Sequence, residues 1–459
     1  MTAPAFGAFN STVQPLRGRR GPAAGGAPAP KARRFDYLVA MLIPIYVWRI
    51  QDAVPLLGKL QLPIIVSLAS IAMFLYEGHA TREKWRFKLP SIKGALFVLG
   101  WMIVSIPTSV YPGNSFRFVF NDFIKTFLVM LMITASIRHI SDVERIAMVN
   151  LASAAIYCLK IVTTFQVNAD GRLGAVLYYD ANDLAMMVVL TIPIAVYFLR
   201  SGVKPMQRVA SLGCFAIFAL VVARTGSRGG FLGLIAVVGV LLVGFRAIPV
   251  RVRFGSVAAI GSLLVIFAGP TYWEMMGTIL NPKEDYNANV ESGRVMVWQR
   301  GMGYLAGHPM TGVGVDGFPI AEGTISEMAE RQSRGQGVKW SAAHNSFVQV
   351  AAELGIPGII GFLIFLYHLF KTCWVVARSK RPDDAVTLRE RAFAEAMFAT
   401  MVGYVVAGFF LSQAYAAYLY ANCGIISGLA AIAFKSAQPA LRAAAAQRGR
   451  APLSYRRAQ

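Results

Sequence analysis

The sequence predicts an all-α, polytopic membrane protein with about twelve transmembrane helices and one large loop outside the membrane. Three observations carry this reading. The 459-residue chain is 56% hydrophobic and only 15% charged. Its mean hydropathy is +0.52, and its apolar residues fall into runs of roughly 20, the helix length that crosses a bilayer. Lys and Arg, finally, are unevenly shared between alternate loops. Such a composition excludes a disordered chain, whose precondition is low hydrophobicity. It also excludes a nucleic-acid partner as the reason for the formal charge of +22, which has to be explained by topology or by a site.

The elements follow in order. Residues 1–34 are rich in Ala, Gly, Pro and Arg, and read as a disordered basic tail with no cleavable signal peptide, because the first apolar run starts only after Arg33-Arg34. Within 35–270 nine helices are expected, near 36–57, 60–76, 92–110, 118–137, 143–165, 183–200, 207–223, 229–245 and 254–270. Residues 271–343 form a loop of mixed composition, with Trp298, Trp340 and both charge signs, so it is expected to be partly helical. Three more helices are expected within 344–434, near 355–377, 391–413 and 416–434, and residues 435–459 form a second basic, disordered tail. Cys158, Cys214, Cys373 and Cys423 all fall inside apolar runs without CxxC spacing, and read as small packing residues.

Loop charge sets the expected orientation. With a cytoplasmic N-terminus, 30 of the 45 Lys and Arg lie in cytoplasmic loops and tails, while the short outer loops hold only Arg49, Lys59, Arg117, Arg172, Arg224 and Arg228. Both termini are therefore expected in the cytoplasm, near anionic lipid headgroups. The 271–343 loop is expected outside it. Asp122, Lys125 and Lys160 stand apart, as charges inside spans.

Basic residues on the outer face need a reason other than topology. Arg228 sits in the turn Arg224-Thr-Gly-Ser-Arg-Gly-Gly230, where small residues let backbone approach a ligand and Arg offers a fork suited to phosphate oxygens. The alternative is that Arg224 and Arg228 snorkel at the interface. In Glu291-Ser-Gly-Arg-Val-Met-Val-Trp-Gln-Arg300, the spacing of Val295, Trp298 and Met302 predicts an amphipathic helix with Arg294 in its first turn, a place for an anion or for a solvated surface charge. Arg300 is better placed as a structural partner for an acid. His344, in Ala342-Ala-His-Asn-Ser-Phe347, is flanked by Asn345 and Ser346, which can orient the ring. Arg172, in Gly171-Arg-Leu-Gly174, precedes Asp180-Ala-Asn-Asp183; these acids and the amide either bind a sugar, orient an arginine or cap the next helix, with Asp180 or Asn182 as the cap.

The stretch SGRVMVWQRGMGYLAGHPMTGVGVDGFP, followed by AHNSFVQVAAELGIPGIIGF, resembles the signature region of the O-antigen ligase and O-antigen polymerase superfamily. The TGSRGG turn and the GRLG…DAND segment are similar to that family's other motif regions, in the same order. The resemblance implies a GT-C-like glycosyltransferase of the bacterial inner membrane. It would act at the periplasmic face on a glycan carried by undecaprenyl diphosphate. Arg228 and Arg294 match the family's essential arginines and His344 its essential histidine, while Arg172 matches a less certain basic position. Arg224, Asn345, Asp180 and Asn182 are the accompanying substrate-binding candidates. His308-Pro309 and Gly312-Val-Gly314 match a structural signature and read as a turn that shapes the loop.

These residue types suit the implied chemistry. Departure of the sugar C1 concentrates negative charge on the diphosphate, and two permanently protonated guanidiniums stabilise it, the role a metal plays elsewhere. Asp180 and Asp183 lack the spacing of a DxD pair, so a metal-independent reaction without cofactor is expected. His344, with an ordinary pKa of about 6.5, is the candidate to accept or orient the acceptor's proton, and direct attack at C1 inverts the anomeric centre. The acceptor expected first is lipid A-core. A lipid-linked repeat (a polymerase) or a protein hydroxyl are the alternatives within the family, and a lipid-linked sugar transporter is the alternative outside it.

Overall fold

The computed structural model describes residues 33–77, 84–164, 173, 179–200, 202–244, 246–281, 293–335 and 340–449, with side chains to 436. Apart from an isolated bridge at Leu173, the regular structure among these residues is helical. Helices stand at all the places where an apolar run predicts one. They are α1 (Arg34–Leu42, prolonged by a π-helical turn, Ile43–Val47), α2 (Leu62–Tyr76), α3 (Pro90–Thr108), α4 (Pro112–Ser136), α5 (Ile140–Thr164), α6 (Ala181–Tyr197), α7 (Pro205–Thr225), α8 (Arg228–Val243) and α9 (Val250–Phe267). After the loop helices α10 (Pro270–Gly277), α11 (Arg294–Gly307), α12 (Phe318–Thr324) and α13 (Ala329–Ser333) come α14 (Ser346–Ala377), α15 (Ala385–Gly408) and α16 (Ala417–Gly449). Seven of these, α3, α4, α5, α7, α9, α14 and the 417–436 part of α16, are long and apolar enough to cross a membrane. The protein is a polytopic, all-α membrane protein.

Packing is organised around α6, which is buried along its whole length and lies against α7, α8 and α15. A second layer pairs α4 with α16 and α3 with α14, and α14 also packs on α15 and α11. The outer faces of α2, α3, α9 and α14 expose Leu, Ile, Val and Phe side chains, as lipid-facing surfaces do. Residues expected on the cytoplasmic side gather at one end of the bundle. There Asp36 binds Arg33 and Arg138 at 3.0 and 2.8 Å. Glu144 accepts from the Tyr197 hydroxyl and from Arg200 and Arg389. Buried Arg86 donates to the Thr134 and Ile137 carbonyls that close α4.

Three elements differ from expectation. The helix expected near 355–377 starts at Ser346, nine residues earlier, and is interrupted at Gly355, where φ is 69° and ψ is −169°. The helix expected near 391–413 runs 385–408, because Asp384 caps it by accepting from Thr387 N, and it stops before a loop, 409–416. At the C-terminal end, α16 continues to Gly449 into the segment read as a disordered tail; its Ala-rich stretch 443–446 favours helix. Residues 1–32 and 450–459 of the tails lie outside the described residues. All four cysteines are buried and unpaired, as their settings predict.

Candidate functional site

Four helix N-termini among the described residues meet at the 409–416 loop between α15 and α16. Asp180 caps α6, its Oδ1 accepting from Asn182 N and Asp183 N, both at 2.7 Å, and Asp183 behind it faces the Gln413 side chain. At α8, Ser227 is the cap and accepts from Gly230 N at 3.1 Å. A Cβ at Gly229 would lie 2.9 Å from Phe410 and one at Gly230 2.7 Å from Ala185, so this turn needs both glycines to wedge α8 between the loop and α6. Trp298, in the second turn of α11, packs edge-on to Phe409 with ring centroids 5.3 Å apart. The start of α14 is zipped to the loop: His344 N donates to Ser412 Oγ at 2.8 Å, Ser346 Oγ to the Leu411 carbonyl at 2.7 Å, and Gln413 N to Ser346 Oγ at 3.0 Å. Each helix end carries about half a positive charge, so one region of the protein is biased towards anions before any side chain is counted.

Two of these ends add an arginine at their first position. Arg228, half-buried, donates from Nη1 to Thr278 Oγ1 just past α10, at 3.0 Å. Arg294 begins α11 and is also half-buried. Two clamps fix its helix. Arg300 binds Glu322 with two nitrogens, at 2.9 and 2.6 Å, and Tyr304 donates to the same carboxylate at 2.6 Å. Hydrogen bonding to Glu322 holds the Arg300 pKa above its ordinary value, and burial followed by Glu322 raises that of Tyr304. The second clamp joins α11 to the histidine: Trp298 Nε1 donates to the Ala343 carbonyl at 3.0 Å, one residue before His344. His344 itself has φ 47°, a left-handed conformation unusual outside glycine, which the bond to Ser412 and the cap after it hold in place. Asn345 is that cap, accepting from Phe347 N and Val348 N at 2.8 and 3.1 Å.

The face of α11 is a correction. Val295 and Met302 are each 49% exposed, and the packed face is Val297, Gly301 and Tyr304. Gly301 is the reason. A Cβ there would meet Val348 at 2.7 Å and Phe318 at 2.8 Å, so the closest approach is made by a residue with no side chain to register in an apolar pattern.

The turn after α11 docks into the break in α14. Val313 N and Gly314 N donate to the carbonyls of Ala352 and Glu353 at 2.8 and 3.0 Å, Ile356 N donates to the Pro309 carbonyl at 2.8 Å, and Trp101 Nε1 takes the Leu354 carbonyl at 2.9 Å. Backbone groups freed by the interruption are thus satisfied by the turn and one indole, as a helix at membrane depth requires. Glu353 Oε1 accepts from Phe318 N at 3.2 Å and pins the start of α12 as well. Asp316, at φ 57° beyond the turn, accepts from Asn114 Nδ2 at 3.0 Å; burial first, then nearby Asp122, raises its pKa.

Residues 213–363 match the protein family described as O-antigen ligase. Over this part, about a third of its length, the chain is similar to that family. No curated protein matches the chain. The matched stretch spans α7 to the middle of α14, and so contains Arg224, Arg228, Arg294, His344 and Asn345. The match supports a resemblance to the O-antigen ligase superfamily over that part of the chain.

Other candidates fall outside the matched stretch. Asp180 is a helix cap and Asn182 sits half-buried behind it, both on α6. Arg172 lies outside the described residues; its neighbour Leu173 is buried and donates its N–H to the Arg224 carbonyl at 2.8 Å, near the end of α7. Arg224 itself is exposed. The matched stretch also excludes the 409–416 loop, which sequence reasoning placed mostly inside spans. Ser412 and Gln413 in it line a cavity of about 790 Å³ that none of the predicted site residues among the described residues lines. The available signal was the polar pair Ser412-Gln413 between two apolar runs, which length alone divided wrongly.

Proposed function

We propose that the protein is a metal-independent, inverting glycosyltransferase of the bacterial inner membrane. It transfers a glycan from undecaprenyl diphosphate to an acceptor hydroxyl of lipid A-core at the periplasmic face, with both termini in the cytoplasm. The observation that carries the reading is the meeting of four helix N-termini, two with arginine at the first position, around the loop that holds His344. The donor's diphosphate lies against Arg228 and Arg294 and the amides beneath them. The acceptor oxygen attacks C1 from the face opposite the diphosphate, its proton passes to His344, and the C1–O bond breaks with its electron pair going to the departing undecaprenyl diphosphate. Charge that grows on the diphosphate is met by two guanidiniums that never lose their protons. Trp298 and Ser412 are positioning residues that set His344 relative to Arg294.

The test is transfer by the purified protein in lipid, with undecaprenyl-diphosphate-linked glycan as donor. Arg228→Ala and Arg294→Ala are expected to lower turnover by about 10²–10³-fold, the loss typical of a group aimed at developing charge. Wild-type turnover in either, or retained activity in a normally folded His344→Ala, overturns the role given to that residue.

A further inference from the structure

The 790 Å³ cavity holds two of the charges that the sequence placed inside spans, Asp122 and Lys125, and its size is that of a small-molecule site. Asp122 and Lys125 of α4 line it together with Asp183 and Asp316. Ionisable groups at membrane depth are costly, and their default reading is a functional one. Two further observations point to a ligand. Gln51 Oε1 and Gln349 Oε1 are buried in this wall without a hydrogen-bond partner, although buried polar atoms are ordinarily satisfied. In addition, the two π-helical turns among the described residues, Ile43–Val47 and Phe118–Phe123, both supply lining residues, and such turns concentrate at functional sites.

The chemistry of the wall selects among ligands. Three aspartates face two cations, and one of those, Arg49, is already paired with Asp52 at 2.5 Å. A wall rich in carboxyl and amide groups offers a diphosphate few cations. Carboxylates and amide oxygens set beside Tyr46, Tyr179 and Phe118 instead suit a neutral polyol, whose hydroxyls donate to the acids and amides while its ring rests on aromatic faces. Along the 409–416 loop, Phe409 and Phe410 meet α11 and α8, the arginine-bearing helices, whereas Ser412 and Gln413 face the cavity. Ser412 Oγ is the atom that holds His344 N.

We propose that this cavity binds the terminal sugars of the acceptor glycan, presenting a hydroxyl across Ser412 to His344. This rests on the glycosyltransferase reading above, and it adds the site and chemistry by which the second substrate is held. The test uses two probes with the full-length protein in nanodiscs: lipid-free lipopolysaccharide core oligosaccharide, and undecaprenyl diphosphate alone. The wild type is expected to bind both. Asp122→Asn and Gln349→Met, with unchanged thermal unfolding, are expected to weaken oligosaccharide binding by about tenfold or more, the worth of one hydrogen bond to a charged or buried group. They leave lipid-diphosphate affinity unchanged, while Arg294→Ala does the reverse. No oligosaccharide binding by the wild type, wild-type affinity in both cavity variants, or loss of lipid-diphosphate binding in them overturns the proposal. Oligosaccharide binding with the expected variant pattern but no glycosyl transfer would leave the cavity assignment standing and remove the proposed reaction.

Discussion

Gly312→Ala is the sharpest single perturbation of the scaffold. Gly312 has φ 63°, and a Cβ there would overlap the Glu353 carbonyl group and the Ala352 carbonyl oxygen. The overlapped atoms are backbone of α14, so no side chain can swing away. A left-handed alanine costs roughly 1–2 kcal/mol by itself. Relieving the overlap means lifting the turn, which breaks the Val313–Ala352 and Gly314–Glu353 bonds, each worth about 0.5–1.5 kcal/mol net. The docked turn should lose about 2–5 kcal/mol in all. Hydrogen exchange with mass spectrometry reads this directly: amide protection in peptides covering 308–318 should fall by roughly 10²–10³-fold while α6 and α15 stay protected. Turnover should fall with it, because the same turn fixes where α11 ends and where α14 restarts. Unchanged protection of 308–318 in Gly312→Ala would refute the claim that the turn is stapled into the helix break.

Three further outcomes follow from the same contacts. Glu322→Ala strips Arg300 and Tyr304 of a shared buried partner and should destabilise the protein by about 3–5 kcal/mol in thermal unfolding, far more than an exposed ion pair would. Trp298→Phe keeps an aromatic ring at Phe409 but loses the bond to Ala343, so it should leave unfolding within about 1 kcal/mol of wild type while lowering kcat and sparing donor KM; a drop in thermal stability with normal kcat would count against its positioning role. Asp316 has a pKa raised above the usual carboxylate range, so its favourable contribution is complete at low pH and is lost as pH rises through that raised value. Asp316→Asn, which suits the left-handed backbone, should therefore raise thermal stability at neutral pH more than at pH near 4, and an equal gain at both would contradict the burial argument.

The apolar runs made the helices legible because membrane burial acts on every residue of a span, and the chain obeys that constraint almost throughout. What they could not mark was the break in α14. Its residues stay apolar through Gly355, since the freed backbone groups find partners in the turn at 309–314 rather than in polar side chains of their own. The candidate site stood out in the sequence where it departs from topology: arginines on the expected outer face, a tight Gly-rich turn, a histidine beside Asn345 and Ser346. Asp180 was legible as one of two candidate caps and is the cap, whereas Asn345, read as a residue to orient His344, proves to cap a helix that starts nine residues before its expected place. The packed face of α11 was misread because glycine makes its tightest contact. The hub at 409–416 was missed for a related reason, since Phe409, Phe410 and Leu411 look like the end of a span while Phe409 and Phe410 pack against α11 and α8. Asp122 and Lys125 were noticed as intramembrane charges, but only the fold puts them in the same wall as Asp183 and Gln349.

The most direct test of the central claim is product analysis. Purified protein in lipid is given undecaprenyl-diphosphate-linked glycan and, separately, lipid A-core, further donor or a serine-containing protein as acceptor, and the products are identified by mass spectrometry. The account predicts lipid A-core carrying the glycan, with one free undecaprenyl diphosphate released per glycan joined. Lengthened lipid-linked chains or a glycosylated protein would contradict the acceptor, and movement of intact donor across the membrane without any release of lipid diphosphate would contradict the enzyme.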